Sequence, residues 1–227
     1  MTADPPERLR TYGRIRGRSL RPGRAGLMDT LLPELSLDLS SGALDLKALK
    51  PGAAGVWLEL GFGAGEHLAA QAAAHPDVLV LGAEPFLNGA ASALRHVHDQ
   101  DLTNVRLHAG DGRELIAALP DGSIDRVFIL FPDPWPKTRH HKRRLINDET
   151  VAELARVMKP GATVRFCTDW ADYVGWTLER FGRCKAFAWI AARADDWRRP
   201  PEDHVTTRYE QKRLGDCAPV FLEFRRI

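Results

Sequence analysis

The sequence predicts an α/β protein with a seven-stranded, mostly parallel sheet, helices on both faces and an antiparallel edge. From about residue 55, short apolar runs alternate with helix-length stretches, which is typical of parallel strands joined by helical crossovers. The last two apolar runs have no helix-length apolar pattern between them, so this end of the sheet is predicted to be antiparallel. The 227 residues, 44% hydrophobic and 27% charged, suit one globular domain with some additional chain.

Individual elements follow from apolar periodicity and from capping and breaking residues. Strands are predicted at 55–60, 78–83, 104–108, 124–131, 163–168, 187–192 and 219–224. Helices are predicted at 66–74, 85–98, 113–119, 148–158 and 171–180. Asn147 or Asp148 is a suitable N-cap for the fourth helix, and Pro160 and Gly161 are expected to end it.

Positive charge is concentrated in two runs. Residues 1–50 are predicted to be a basic arm and lead-in to a main domain at 51–227. The first run lies in this arm, where the stretch 8–24 contains no acidic residue and seven arginines: Arg8, Arg10, Arg14, Arg16, Arg18, Arg21 and Arg24. Interspersed Gly and Pro residues disfavour a regular helix there, so a flexible arm is predicted. The second run is KTRHHKRR at 137–144. Because the net charge is only +2, two such runs favour contact with a polyanion over simple solvation.

Composition excludes several classes of protein. No apolar run approaches the roughly 20 residues that span a bilayer, and arginines occupy the region where a signal peptide would be apolar. Cys167, Cys184 and Cys217 are odd in number and far apart, which excludes a disulfide framework and a CxxC metal site. Adjacent or alternating histidines amid cations do not favour a shared divalent ion, so no metal is predicted. We expect a cytoplasmic protein without membrane contact, as a monomer or homodimer.

An acidic side chain stands at the end of each of the first four predicted strands: Glu59, Glu84, Asp111 and Asp133. In parallel sheets, ligands bind outside the carboxyl ends of the strands, so these acids are candidate ligand contacts. Gly61 and Gly63 in the loop after the first strand allow the backbone to approach a ligand closely. The alternative is that each acid is an ordinary helix cap or turn residue.

The glycine loop could serve one of two nucleotide cofactors. A dinucleotide fingerprint would require glycine at Glu66, and a carboxylate would repel a pyrophosphate. S-adenosylmethionine carries a sulfonium and an ammonium cation and no phosphate, so an acid-rimmed loop suits it better. An acid after the second strand, Glu84, can accept hydrogen bonds from ribose hydroxyls.

The segment FPDPWPK at 131–137 is the most specific motif of the chain. Three prolines in five residues predict a rigid, extended turn that holds Asp133 and Trp135 at the mouth of the sheet. Packing alone would explain the tryptophan. It would not explain an acid between prolines that leads directly into a cationic run.

Five motifs together resemble the bacterial tRNA (guanine-N7)-methyltransferases, class I S-adenosylmethionine-dependent enzymes with a Rossmann-like fold. They are LELGFGAGEHL (58–68), GAEPF (82–86), FPDPWPKTRHHKRR (131–144), TDWADY (168–173) and TTRYEQKRLG (206–215). The resemblance covers nearly the whole chain and makes 51–227 the methyltransferase domain. It departs from the family at Arg208 and Tyr209, commonly lysine and phenylalanine, and at Asp216, often histidine.

The resemblance implies roles for individual residues. Contacts to the methyl donor are implied for Glu59, Gly61, Gly63, Glu84, Asp111 and Asp133, the last of these also acting in catalysis. Substrate contacts are implied for Lys137, Asp169, Thr207, Arg208, Tyr209 and Glu210. RNA contacts are implied for Arg139, His140, His141, Lys142, Arg143 and Arg144. The implied target is position 46 in the variable loop of tRNA.

The implied chemistry agrees with the residues present. Guanine N7 has an in-plane lone pair, so methyl transfer requires alignment and no strong general base. Guanine's N1–H and N2–H groups are donors that call for carboxylates such as Asp133 and Asp169. Two alternatives stay open: a methyltransferase acting on an exocyclic amine or another RNA base, and an RNA-binding module without catalysis.

Overall fold

A computed structural model describes residues 11–40 and 42–227. Its sheet has seven strands: β1 Gly55–Leu60, β2 Val78–Ala83, β3 Val105–His108, β4 Ile124–Leu130, β5 Met158–Thr168, β6 Phe187–Trp189 and β7 Val220–Arg226. The strand order is β3-β2-β1-β4-β5-β7-β6. Strands β1 to β5 pair in parallel, whereas β7 runs antiparallel to both β5 and β6. The mostly parallel sheet with an antiparallel edge is therefore confirmed.

Helices cover both faces of the sheet, as predicted. They are α1 Pro22–Leu35, α2 Leu46–Leu49, α3 Glu66–Ala74, α4 Leu87–Asp99, α5 Gly112–Ala118, α6 Asp148–Val157, α7 Ala171–Arg183, α8 Asp195–Arg198 and α9 Arg208–Gln211, with a 3-10 helix at Thr138–Arg143. Successive β2 side chains alternate between the two faces. Leu79 and Leu81 join the core under α5, α6 and α7, while Val78 and Val80 join the core under α1, α3 and α4.

Most predicted boundaries agree with the structure, and those of β1, β2 and α3 coincide with it. The Asn147 side chain accepts a hydrogen bond from Thr150 N, which confirms the N-cap of α6. The expected role of Pro160 and Gly161 is wrong, because both lie inside β5 after α6 has ended. The β4–β5 register shifts between Ile124 and Arg126, and a bulge of this kind accommodates residues that a regular ladder would exclude.

The basic arm differs most from its predicted state. From Thr11 onward it is docked on the domain: Leu87 N–H donates to Ile15 O at 2.9 Å, and Gly17 N–H donates to Asn88 Oδ1 at 2.8 Å. Helix α1 was not predicted; it begins with Pro22, whose fixed φ suits the first helical position, and packs its apolar side against α4. The flexible-arm prediction is therefore wrong from Thr11 onward. Arg8 and Arg10 lie outside the described residues.

Three further features of the described chain bear on function. None of the helices within 11–40 and 42–227 has the length and apolar character that crossing a bilayer demands. In the same ranges, no cluster of three or more His, Cys, Asp or Glu side chains is arranged to hold a metal ion. Cys167, Cys184 and Cys217 are free thiols.

Candidate active site

A cavity of about 670 Å³ opens at the carboxyl ends of β1, β2 and β4. This volume is in the range of sites for small molecules and cofactors. Its walls include the glycine loop, the docked arm and part of α9. The predicted site residues that line it are Glu59, Gly61, Gly63, Glu84, Asp111, Asp133, Arg143, Arg144, Thr207, Arg208 and Tyr209.

Glu84 holds the glycine loop in place. Its two carboxylate oxygens accept hydrogen bonds from Gly63 N and Phe86 N, each at 2.8 Å. Gly63 has a φ of +56°, a conformation that favours glycine. Burial raises the pKa of Glu84 to about 7, against the effect of its two N–H donors, and the charge of Asp133 raises it further. The carboxylate keeps lone pairs free on both oxygens for hydroxyl donors in the cavity.

Asp111 combines a structural role with a place in the cavity wall. It caps α5 by accepting from Arg113 N, and it forms an ion pair with the Arg113 side chain at 2.7 Å. Thr11 Oγ1 in the arm donates to Asp111 Oδ2 at 2.8 Å. Burial raises the pKa of Asp111, but the hydrogen bonds from Arg113 and Thr11 outweigh it and leave the pKa below its usual value. The cap alternative therefore holds for this acid, without excluding a ligand contact.

Glu59 lines the cavity and also forms a buried pair that sequence reasoning missed. His67 Nδ1 lies 2.8 Å from Glu59 Oε2, and both side chains are almost fully buried. Gln71 lies beside His67 on the next turn of α3, and its Nε2 donates to the backbone carbonyl of Asp203 at 3.0 Å. The spacing of Glu66–Ala74 places both on one helix face, a signal that was available in the sequence. This chain of contacts connects the end of β1 to the segment that precedes α9.

Asp133 lies in the strained turn that follows β4. Phe131 and Trp135 on either side of it have φ values of +50° and +43°, rare for residues other than glycine, and such outliers cluster at functional sites. Among the described residues, no group donates a hydrogen bond to its carboxylate. Asp133 is exposed at the open mouth of the cavity. The protein atoms on its other sides partly desolvate the carboxylate, and this desolvation raises its pKa.

Trp135 is packed by neighbouring side chains. The guanidinium of Arg143 lies 5.0 Å from its ring centroid and 5.1 Å from that of Tyr12, so it bridges the two rings. The edges of Tyr12 and His140 also contact Trp135, at centroid distances of 6.5 Å and 6.0 Å. These contacts join the arm to the turn after β4, and they favour a packing role for Trp135.

Asp169 is buried, with 4% of its surface exposed, and does not line the cavity. Its Oδ2 accepts a hydrogen bond from Gly215 N at 2.9 Å, whereas its Oδ1 is buried without a partner. Ala171 N, at the start of α7, donates instead to Asp216 Oδ1 at 2.8 Å. Asp169 therefore makes no capping contact with α7, and Asp216, at a position to which sequence analysis gave no role, accepts from the first N–H of that helix instead.

The segment from Thr207 to Glu210 forms the start of α9. Thr207 accepts from Glu210 N as its N-cap, and Glu210 lies 2.8 Å from His204 Nε2. Arg208 pairs with Glu66 of α3 at 3.0 Å across the cavity mouth. Tyr209 packs on Phe131, with ring centroids 5.6 Å apart; burial raises its pKa, and the charges of Asp169 and Asp133 raise it further.

The predicted RNA-contact residues separate into three environments. Arg139 and Lys142 are exposed, while His140 and His141 are half-buried; the predicted substrate contact Lys137 is also exposed. Arg143 is held between two aromatic rings. Arg144 is 2% exposed, pairs with Asp172 and donates to Pro134 O at 2.8 Å, with its guanidinium against Tyr173 and Trp176. Arg144 borders the cavity but is almost fully buried and engaged by these partners, which favours a structural role, so we do not include it among the proposed RNA contacts.

The sheet order, the glycine loop after β1 and the acids at the strand ends define a class I S-adenosylmethionine-dependent methyltransferase. Solved structures agree at the level of the fold. The 16S rRNA methyltransferase KamB aligns with a TM-score of 0.57 and 15% identity over 82% of this chain and 95% of its own. The 16S rRNA (adenine(1408)-N(1))-methyltransferase from Catenulisporales acidiphilia aligns at 0.53 and 20% identity over 84% and 94%.

Sequence comparisons define the family. A family model described as putative methyltransferase matches residues 53–221. The tRNA (guanine-N(7)-)-methyltransferase of Caulobacter sp. (strain K31) is 58% identical, with 96% of each chain covered. The enzyme of the same name from Hyphomonas neptunium is 51% identical over 96% of this chain and 99% of its own. The chain belongs to the tRNA (guanine-N(7)-)-methyltransferase family.

Proposed function

We propose that the chain transfers a methyl group from S-adenosylmethionine to N7 of guanine at position 46 in the variable loop of tRNA. The observation that carries the proposal, beside family membership, is the layout of residues 131–144. This segment places Asp133 in the cavity wall and exposes Arg139 and Lys142 outside it. A polyanion bound along the basic part would therefore have its bases next to the cavity.

The cavity fits the proposed methyl donor. Glu84 is a buried carboxylate with free lone pairs at the end of β2, suited to ribose hydroxyls, and Gly61 and Gly63 place no side chain over the loop. The acidic wall suits a cationic ligand. When bound, S-adenosylmethionine supplies an electrophilic methyl group on a positively charged sulfur. The residues proposed to hold it are Glu59, Gly61, Gly63, Glu84, Asp111 and Asp133.

The acceptor requires positioning and charge stabilisation more than proton transfer. N7 of guanine carries no proton, and no activated base is needed to expose its lone pair. Positive charge grows on the guanine ring as the methyl group arrives, and a preorganised carboxylate stabilises that charge. We assign this role to Asp133. The donors on the Watson–Crick edge are assigned to Asp169, Thr207 and Glu210, with Lys137, Arg208 and Tyr209 beside them.

Incubation with labelled S-adenosylmethionine and bulk tRNA, followed by nucleoside identification, tests the function. We expect the label in N7-methylguanosine. A tRNA transcript with 7-deazaguanosine at position 46 removes the acceptor nitrogen alone and should accept no label. Label in a methylated exocyclic amine would support the alternative acceptor, and tRNA binding without transfer would support a non-catalytic module.

Donor binding is expected to release a proton from Glu84 below about pH 7. The pKa of Glu84 is about 7 without ligand, and hydroxyl donors that bond to its carboxylate favour the charged form and lower that pKa. Donor affinity should therefore rise with pH until about pH 7 and then level off. Calorimetry near pH 6 in two buffers of different ionisation enthalpy measures the released proton. Glu84→Gln should bind the donor more weakly and release no proton from this position. If proton release by Glu84→Gln were undiminished, the proton would come from another group such as Asp133.

The exposed cations of the 3-10 helix are expected to act on tRNA through phosphate. Replacing both Arg139 and Lys142 by alanine should weaken tRNA binding and reduce the salt slope by about 0.7 to 0.9 for each lost phosphate contact. The control is the double alanine variant of Lys47 and Lys185. These exposed lysines precede β1 and β6, so they lie toward the amino ends of the strands, whereas the cavity is at the carboxyl ends. Equal slopes in both variants would show that the basic segment is merely solvated.

A further inference from the structure

A second cavity, of about 430 Å³, adjoins the first where the arm meets α1. Its walls include Ser19, Arg21, Arg24, Asn88 and Arg208. The last three of these side chains also line the larger cavity, so the two spaces share a wall.

This second cavity is cationic. Arg21 and Arg24 have no carboxylate partner among the residues that the structure describes, so both guanidinium charges stay uncompensated there. Arg208 adds a third guanidinium, partly balanced by Glu66. Helix α1 begins at Pro22 with no acid in its first turn and no side-chain cap, which leaves the positive end of its dipole at the same place.

The arm that forms this cavity is held by specific contacts. Asn88 accepts from Gly17 N at 2.8 Å and donates to Arg18 O at 2.7 Å, so one side chain fixes two consecutive arm residues on α4. A Cβ at Gly17 would lie 2.7 Å from Asn88 Oδ1 and 2.9 Å from the Phe86 ring, which explains the glycine. The arginines that follow are thereby presented in a fixed position.

We propose that this second cavity binds a backbone phosphate of the tRNA next to the target guanosine. The inference rests on the proposed function. When a base enters the larger cavity, the phosphates on either side of its nucleotide remain close to the cavity mouth. Arginine is the side chain best suited to bind such phosphates. The arm would thus hold the nucleotide from one side while Arg139 and Lys142 contact the RNA from another.

The chain offers a matched pair of variants. Arg21→Gln with Arg24→Gln removes the uncompensated charge of the cavity. Arg16→Gln with Arg18→Gln removes the same charge from exposed side chains of the same arm that line neither cavity, and keeps the Arg18 carbonyl that Asn88 binds. We expect tRNA affinity to fall about tenfold or more in the first variant, with a smaller salt slope, and about twofold or less in the second. S-adenosylmethionine affinity should stay unchanged in the Arg16→Gln, Arg18→Gln variant and in the single variant Arg21→Gln, whose side chain lines the second cavity but not the larger one.

A neutral linkage in the RNA tests the contact directly. Single methylphosphonate substitutions near position 46 should weaken binding of the parent enzyme at one phosphate, and the Arg21→Gln, Arg24→Gln variant should be insensitive at that phosphate only. The proposal would be overturned if the two double-arginine variants lost equal tRNA affinity. It would also be overturned if the Arg21→Gln, Arg24→Gln variant stayed as sensitive as the parent enzyme to methylphosphonate at every phosphate. Loss of S-adenosylmethionine affinity with normal tRNA affinity would also overturn it, because the cavity would then serve the donor's carboxylate. Failure of the function itself is seen separately, as absence of methyl transfer by the parent enzyme.

Discussion

Asp133→Asn is expected to reduce the single-turnover rate of methyl transfer by about a hundredfold or more at saturating donor and tRNA. Its carboxylate faces the cavity without a protein hydrogen-bond donor among the described residues, so its charge is available to the positive charge that develops on guanine. Asparagine preserves the shape and removes the charge. A loss of this size corresponds to about 3 kcal/mol of transition-state stabilisation.

Separate measurements distinguish catalysis from donor binding. Calorimetry gives the donor affinity of Asp133→Asn, and rapid-quench single turnover gives the chemical step. The control is Asp125→Asn, at the other end of β4, where the acid pairs with Lys159 and accepts from Val56 N. That variant should lose some stability and keep its single-turnover rate. A normal single-turnover rate in Asp133→Asn would limit Asp133 to donor binding or to the turn itself.

Asp169→Asn is expected to fold normally and to lose about a hundredfold in turnover on tRNA. The asparagine carbonyl can accept from Gly215 N as the carboxylate does, which places the NH2 group where the unpartnered oxygen now lies. The asparagine NH2 group would therefore face the N1–H and N2–H groups of guanine, and two hydrogen-bond donors cannot bond to each other. Because Asp169 lies outside the cavity, its contact with guanine requires a local rearrangement of the residues that separate it from the cavity.

Asp216 provides the control for this prediction. Asp216→Ala removes the hydrogen bond to the first N–H of α7 and should reduce the free energy of unfolding by about 1 kcal/mol while leaving turnover close to normal. Denaturant unfolding and steady-state kinetics on both variants give the comparison. If stable Asp169→Asn turns over normally, Asp169 serves only to hold the Gly215 loop.

Sequence reasoning succeeded where local pattern and fold agree. The bounds of β1, β2 and α3 follow from apolar runs beside glycines, and the position of the cavity follows from the rule that ligands bind at strand ends. Sequence reasoning failed where contacts with residues distant in the chain determine the local structure. Helix α1 forms because its apolar side packs on α4, which outweighs the helix-breaking effect of glycine and proline.

The basic motif at 137–144 shows why the remaining roles could not be predicted. Arg144 and Arg139 stand in one cationic run, and nothing local separates them. Arg144 is buried because Tyr173 and Trp176 of α7 supply aromatic faces and Asp172 supplies a charge about 30 positions later. Only the three-dimensional arrangement reveals which cation remains available to a ligand.

The arm also constrains the order in which a newly made chain can become functional. Residues 11–17 leave the ribosome early, but their partners Asn88, Asp111 and Arg143 are synthesised 71, 100 and roughly 130 positions later. Closing loops of this length carries an entropic cost that only a formed docking surface can offset. Residues 11–17 are therefore expected to dock after their partners later in the chain have folded, and the cavity gains this wall after the central strands have assembled. An unfinished chain would lack that wall, which delays ligand capture until most of the domain exists.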